Sequence, residues 1–185
     1  MTAAQQANLF LAYSRKDQEH ALRLIAALES LGISIWWDVT SIPIGVNWEQ
    51  FLTEQLSAAQ CVVVLWSRDS VQSKWVLFEA EFAVRRGVFL PVLIDKVDIP
   101  LPFKRYQAAL LDSWDGNGSD PSFQLLLEAI QRLLKTAPAT SQDTRIYKES
   151  QRSVERRAQE LFQENLRSES IIEHLVQNNI LISEK

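Results

Sequence analysis

The sequence predicts an α/β fold, a doubly wound, flavodoxin-like parallel sheet of about five strands. Three observations point there. Residues 61–66, CVVVLW, form an unbroken apolar run, which reads as a strand buried on both faces. A polar break, Ser67-Arg68-Asp69-Ser70, follows, and then a helical pattern from Ser73, making half of a βαβ unit. The same alternation of short apolar run and amphipathic stretch recurs from residue 8 to residue 135.

Taken in order, residues 8–13 (NLFLAY) form the first strand. Ser14 and Asp17 have capping-box spacing, so a helix starts after Ser14. Its inward residues are Ala21, Leu22, Leu24, Ile25 and Leu28, and Gly32 stops it. Residues 33–37 (ISIWW) are a second buried strand, followed by a long loop, residues 38–47. Asn47 caps the next helix, where Trp48, Phe51, Leu52 and Leu56 share a face. After the central strand, Ser73 caps a helix from about Lys74 to Arg86. Val76, Ala80, Ala83 and Val84 are its apolar stripe, and Glu81 with Arg85 is an i,i+4 pair on the solvated side. Residues 88–94 (VFLPVLI) are the fourth strand; Pro91 removes a ladder donor, which suggests a bulge or a place nearer an edge. Residues 95–107 are loop, 108–111 a short strand and 115–119 a turn. The last helix runs from about Pro121 to Lys135 with Phe123, Leu126, Leu127, Ile130, Leu133 and Leu134 inward. The domain thus spans 7–135. Residues 136–144 read as a linker, and 145–185 as a charged helical extension with too little core to fold alone. Three readings of that extension are open: it packs on the domain, it is an oligomerisation element, or it is the start of a further domain.

The formal net charge of −4 argues against nucleic-acid binding through general electrostatics. The single cysteine, Cys61, lies inside the central strand, which fits a reducing, cytoplasmic setting. No signal peptide is apparent and no apolar run is long enough to span a bilayer. The chain has no GxGxxG after a strand, no P-loop and no GxSxG elbow. His20 and His174 lie in polar helical contexts, and no metal site is expected.

One residue breaks the pattern. Glu79 falls on the helical line of Trp75 and Phe82, one turn from an indole and beside an aromatic wall. Two readings are open: a solvated glutamate with aromatic neighbours, or a carboxylate held in apolar surroundings with a raised pKa.

Four blocks, in order, resemble the Toll/interleukin-receptor (TIR) family: LFLAYSRKD, GISIWWDVTSIPIGVNWEQFL, SRDSVQSKWVLFEAEFAVRRG, and FLPVLID with the IPLPF that follows. The resemblance covers about residues 7–135 and is closest to the NAD-cleaving members of bacteria, whose WVxxE glutamate is catalytic; here that residue is Glu79. It implies the TIR fold, and cleavage of the nicotinamide–ribose bond to nicotinamide plus ADP-ribose or a cyclic isomer. NAD would be the substrate, with no cofactor, and the setting antiphage or stress defence. Substrate-binding candidates are Tyr13, Ser14, Arg15, Asp38, Trp75 and Pro43. Ser14 and Arg15 follow the first strand, a natural place for phosphate oxygens, although Ser14 also fits a cap and Arg15 a surface charge. Trp75 is a pocket wall or a packing residue, Tyr13 closes the site or is simply buried, and Asp38 contacts ribose, orients its loop or makes a turn. Pro43, between Ile42 and Ile44, forms the apolar tip of the family's "BB" loop, which meets a neighbouring subunit, so self-association is implied. Residues 145–185 would serve a sensor domain or partner protein. Two other readings compete: a non-enzymatic TIR adaptor acting through TIR–TIR contact, and a receiver-like phosphoacceptor. The latter lacks the aspartate it would need at the end of the third strand, where Trp66-Ser67 stands.

Overall fold

The computed structural model describes residues 8–37 and 48–136, all within the first of the chain's two units, Met1–Gln142. The loop 38–47 with its cap Asn47, and residues 137–185, lie outside the described residues, as do the linker and extension read from the sequence.

Five parallel strands form one sheet in the order β2-β1-β3-β4-β5, where β1 is Leu9–Ala12, β2 Ile35–Trp36, β3 Cys61–Trp66, β4 Phe89–Leu93 and β5 Ala109–Leu110. The helices are α1 Gln18–Ser30, α2 Trp48–Ala58, α3 Lys74–Arg86 and α4 Pro121–Thr136. Parallel neighbours force crossover helices, and the alternation of side chains along each strand sorts them between two faces. Leu9 and Leu11 of β1 and Cys61, Val63 and Leu65 of β3 share one core with Ala21, Leu24, Ile25 and Leu28 of α1 and Phe123, Leu126, Leu127 and Ile130 of α4. On that side Trp114 stacks on Phe123 with ring centres 5.0 Å apart. Phe10 points the other way and stacks on Trp36 at 4.9 Å, with Phe51 of α2 beyond it. Burial there includes Val76, Ala80 and Ala83 of α3. All six residues of β3 are completely buried, as a central parallel strand requires.

Several expectations change. Among the described residues the second strand has two paired residues, both half-buried, because β2 is at the sheet's edge and pairs there with β1 alone. Leu22 is exposed rather than inward. The bulge expected as one reading of Pro91 is absent from its register against β3, while the other reading holds, since β4 lies next to the edge strand β5. Leu93 turns its carbonyl towards Leu111 N at 2.8 Å, on the β5 side, and Pro91 two residues earlier faces the same way. Pairing with β5 begins only at Val92, so the missing N–H costs no ladder bond.

The α2–β3 connection depends on Arg86, whose guanidinium donates to Leu56 O at 2.8 Å and Ala59 O at 2.9 Å. These are carbonyls at the end of α2, where cations and donors are favoured. Arg86→Met removes both bonds and should cost about 1–3 kcal/mol, seen as a lower urea midpoint with unchanged slope. An unchanged midpoint would show that water replaces the arginine without loss.

Candidate active site

With the sheet order 2-1-3-4-5, the chain reverses its direction of winding between β1 and β3. Open α/β sheets bind ligands outside the carboxyl ends of the strands at that point. The loops arriving there are Tyr13–Asp17 after β1 and Ser67–Ser73 after β3.

The β1 loop does not begin as expected. Arg15–Asp17 is a 3-10 turn, and Ser14 at its start makes no side-chain cap bond. Asp17 closes the turn through its backbone N–H to Ser14 O at 2.8 Å, while its carboxyl group turns inward and accepts from Ser67 Oγ at 2.6 Å. The capping box is therefore replaced by a link between the two loops. Lys16 adds an exposed ion pair to Asp69 at 2.7 Å, which contributes little on its own. Burial raises the pKa of Asp17, and the Ser67 bond opposes that rise.

α3 starts where its cap requires: Ser73 Oγ accepts from Val76 N at 3.3 Å. Gly87, at φ 70°, ends it in the left-handed conformation that favours glycine. Glu79 lies in the second turn and is only 4% exposed, so the solvated reading does not hold. Burial pushes its pKa up to about 8, and a hydrogen bond from the Trp75 side chain pulls it partway back. Trp75 is half-buried and packs its ring 5.7 Å from that of Phe78. With that pKa the carboxyl is largely protonated at neutral pH.

The other candidates are spread around these two features. Ser14 is half-buried and Arg15 exposed, both in the β1 loop. Tyr13 is half-buried and packs against the α1 and α4 core. Asp38 and Pro43 lie outside the described residues. Trp75 and Glu79 are joined directly. Sequence reasoning overlooked Asp17 and Ser67 as a pair; their placement after adjacent strands was the available signal. Among the described residues, no group of three or more His, Cys, Asp or Glu could hold a metal ion, and no helix is long and apolar enough to cross a membrane.

The family follows from the sequence match over this same unit: the TIR domain model matches residues 9–127. The chain belongs to the TIR domain family. Its TIR domain is similar to a probable 2′ cyclic ADP-D-ribose synthase of Methanobrevibacter olleyae, 26% identical over 95 residues, which are 51% of this chain and 26% of the relative. It is also similar to an NAD(+) hydrolase of Escherichia coli O6:H1, 24% identical over 44% of this chain and 27% of the relative. A 2′ cyclic ADP-D-ribose synthase of Acinetobacter baumannii is 26% identical over 43% of this chain and 30% of that relative. The matches thus span less than a third of those relatives' length. Among solved structures, the TIR domain of a Toll-related receptor from Hydra magnipapillata superposes with a TM-score of 0.60 at 14% identity, covering 68% of this chain and 98% of that one. A metazoan TIR-STING receptor from C. gigas gives 0.55 at 23% identity, covering 70% of this chain and 41% of the receptor. Both similarities concern the TIR fold.

Proposed function

We propose that this TIR domain cleaves NAD at the nicotinamide–ribose bond, releasing nicotinamide with ADP-ribose or a cyclic isomer. The observation that carries the reading is Glu79, a carboxyl buried beside the indole of Trp75, with its pKa pushed up to about 8. The names of the three curated relatives support the substrate class.

The chemistry suits such a group. Nicotinamide leaves as a neutral molecule from a cationic ring, taking both electrons of the C–N bond, and the ribose becomes oxocarbenium-like. The protein then needs a negative charge near the sugar and walls that exclude water. The cationic substrate lowers the pKa of Glu79, so the anion forms where positive charge develops. Water or a hydroxyl of the same molecule then attacks the sugar cation and gives up its proton to solvent, yielding ADP-ribose or a ring. Ser14 and Arg15 offer a hydroxyl and a guanidinium to phosphate oxygens, and Trp75 forms a wall. Self-association through residues 38–47 would complete the site, and NAD loss would serve antiphage or stress defence.

The test is incubation of the purified chain with NAD across a range of protein concentrations, with products separated by chromatography. Nicotinamide appearing in step with ADP-ribose or its isomer is expected, with specific activity rising as concentration rises. Unchanged NAD at every concentration would favour a TIR adaptor that acts by contact alone.

A further inference from the structure

The β1 loop and the β3–α3 loop are tied by a closed set of hydrogen bonds around Ser67. Its Oγ accepts from Asp69 N at 3.1 Å and Ser70 N at 3.0 Å. A serine hydroxyl has two acceptor positions and one proton, so both acceptor positions are filled and the proton points to Asp17 Oδ2, 2.6 Å away. The main chain of Ser67 is held as well. Its N–H donates to Ser70 Oγ at 2.6 Å, and its carbonyl accepts from Val71 N at 3.1 Å and from Ser70 Oγ at 3.3 Å. Ser70 is completely buried, Ser67 4% exposed and Asp17 9% exposed. This cluster lies at the reversal between β1 and β3, and the loop it fixes ends at Ser73, the cap from which α3 and therefore Glu79 are launched.

We infer that Asp17 and Ser67 are positioning residues: through the β3–α3 loop they set the origin of α3, and so the placement of Glu79 against the substrate's ribose. The inference rests on the NAD-cleavage reading for its substrate, and on the hydrogen-bond geometry alone for the coupling. A polar network in which every member is satisfied holds one arrangement, and opening one link leaves buried groups unpaired and the loop free to move. An error of about an ångström at a catalytic group is enough to lower turnover by orders of magnitude. Asp17 accepts, and Asn also offers a carbonyl oxygen there, so the two should be interchangeable while Ala is not.

The experiment compares Ser67→Ala, Asp17→Ala and Asp17→Asn with Ile130→Ala, a completely buried α4 core residue whose truncation lowers global stability without touching the cluster's hydrogen bonds. Turnover of NAD is measured well below every melting temperature. The expected result is a fall in kcat of about 10- to 100-fold for Ser67→Ala and Asp17→Ala, with KM within about threefold, by the orientation argument. Asp17→Asn should keep kcat within about threefold of the parent, and Ile130→Ala should keep its kcat. Amide exchange, which needs no substrate, should speed up over residues 67–79 in the two alanine variants at the cluster more than elsewhere in the chain. In Ile130→Ala any acceleration should be no greater there than in the rest of the core. Parental kcat in Ser67→Ala, or loss of kcat equal to that in Ile130→Ala, would overturn the inference. Unchanged exchange over residues 67–79 would overturn it even if the parent chain left NAD intact, whereas an inactive parent with faster exchange in the variants would sink only the NAD reading.

Discussion

Glu79→Gln is expected to make the fold more stable at pH 8 and to leave it unchanged near pH 4.5. The reason is the cost of burying a carboxylate. In the folded chain Glu79 titrates at about 8, against 4.5 for an ordinary glutamate, because burial disfavours the anion. Between these two values the folded state holds a proton that the unfolded state has lost. Stability therefore falls as pH rises from 4.5 to 8, and is level again above 8. The full drop from this one group is at most about 5 kcal/mol, at about 1.4 kcal/mol per unit, and water entering around the anion reduces it to a few kcal/mol. Glutamine has the same shape and does not titrate. Asp17, whose pKa is also raised, contributes a slope of the same sign to both proteins, so the difference between parent and variant isolates Glu79. Urea midpoints at pH 5, 7 and 8.5 should diverge steadily, with the variant ahead. Parallel lines would mean that Glu79 is solvated in solution. A fold made more stable by removing a functional group is the trade between stability and activity seen when a site is held in costly surroundings.

The second large effect is on rate. If the anion of Glu79 stabilises the developing sugar cation, kcat/KM for NAD should rise about tenfold per unit below pH 8 and level off above it, reporting the free protein. The profile of kcat should level off at a lower pH, because bound nicotinamide carries a positive charge that favours the anion. A profile that is flat from pH 6 to 9, or that falls across that range, would show that a protonated Glu79, or another group, carries the reaction.

What could be read from the chain depended on how local its cause was. β3 and the start of α3 were legible because an apolar run and the Ser73 cap act over a few residues. Glu79 stood out for the same reason, since helical spacing alone sets it beside Trp75. Asp17 was misread because its partner Ser67 lies fifty residues away, and spacing to Ser14 offered a nearer explanation. Pro91 was half legible: its missing N–H does mark a place near the sheet edge, where β4 is not yet paired with β5, but the strand itself does not encode that no bulge is needed. The second strand looked fully buried from its composition, yet its place at the sheet edge follows from the order of all five strands.

The central claim is that the buried carboxyl of Glu79 lets this TIR domain break the nicotinamide–ribose bond. The most direct measurement is nicotinamide released from NAD by the parent chain and by Glu79→Gln, at equal concentration and pH 8, with circular dichroism establishing that both are folded. The expected result is release by the parent and a loss of at least about 100-fold in the glutamine variant, the size seen when a group that stabilises transition-state charge is removed. A folded glutamine variant that releases nicotinamide at the parent's rate would contradict the account.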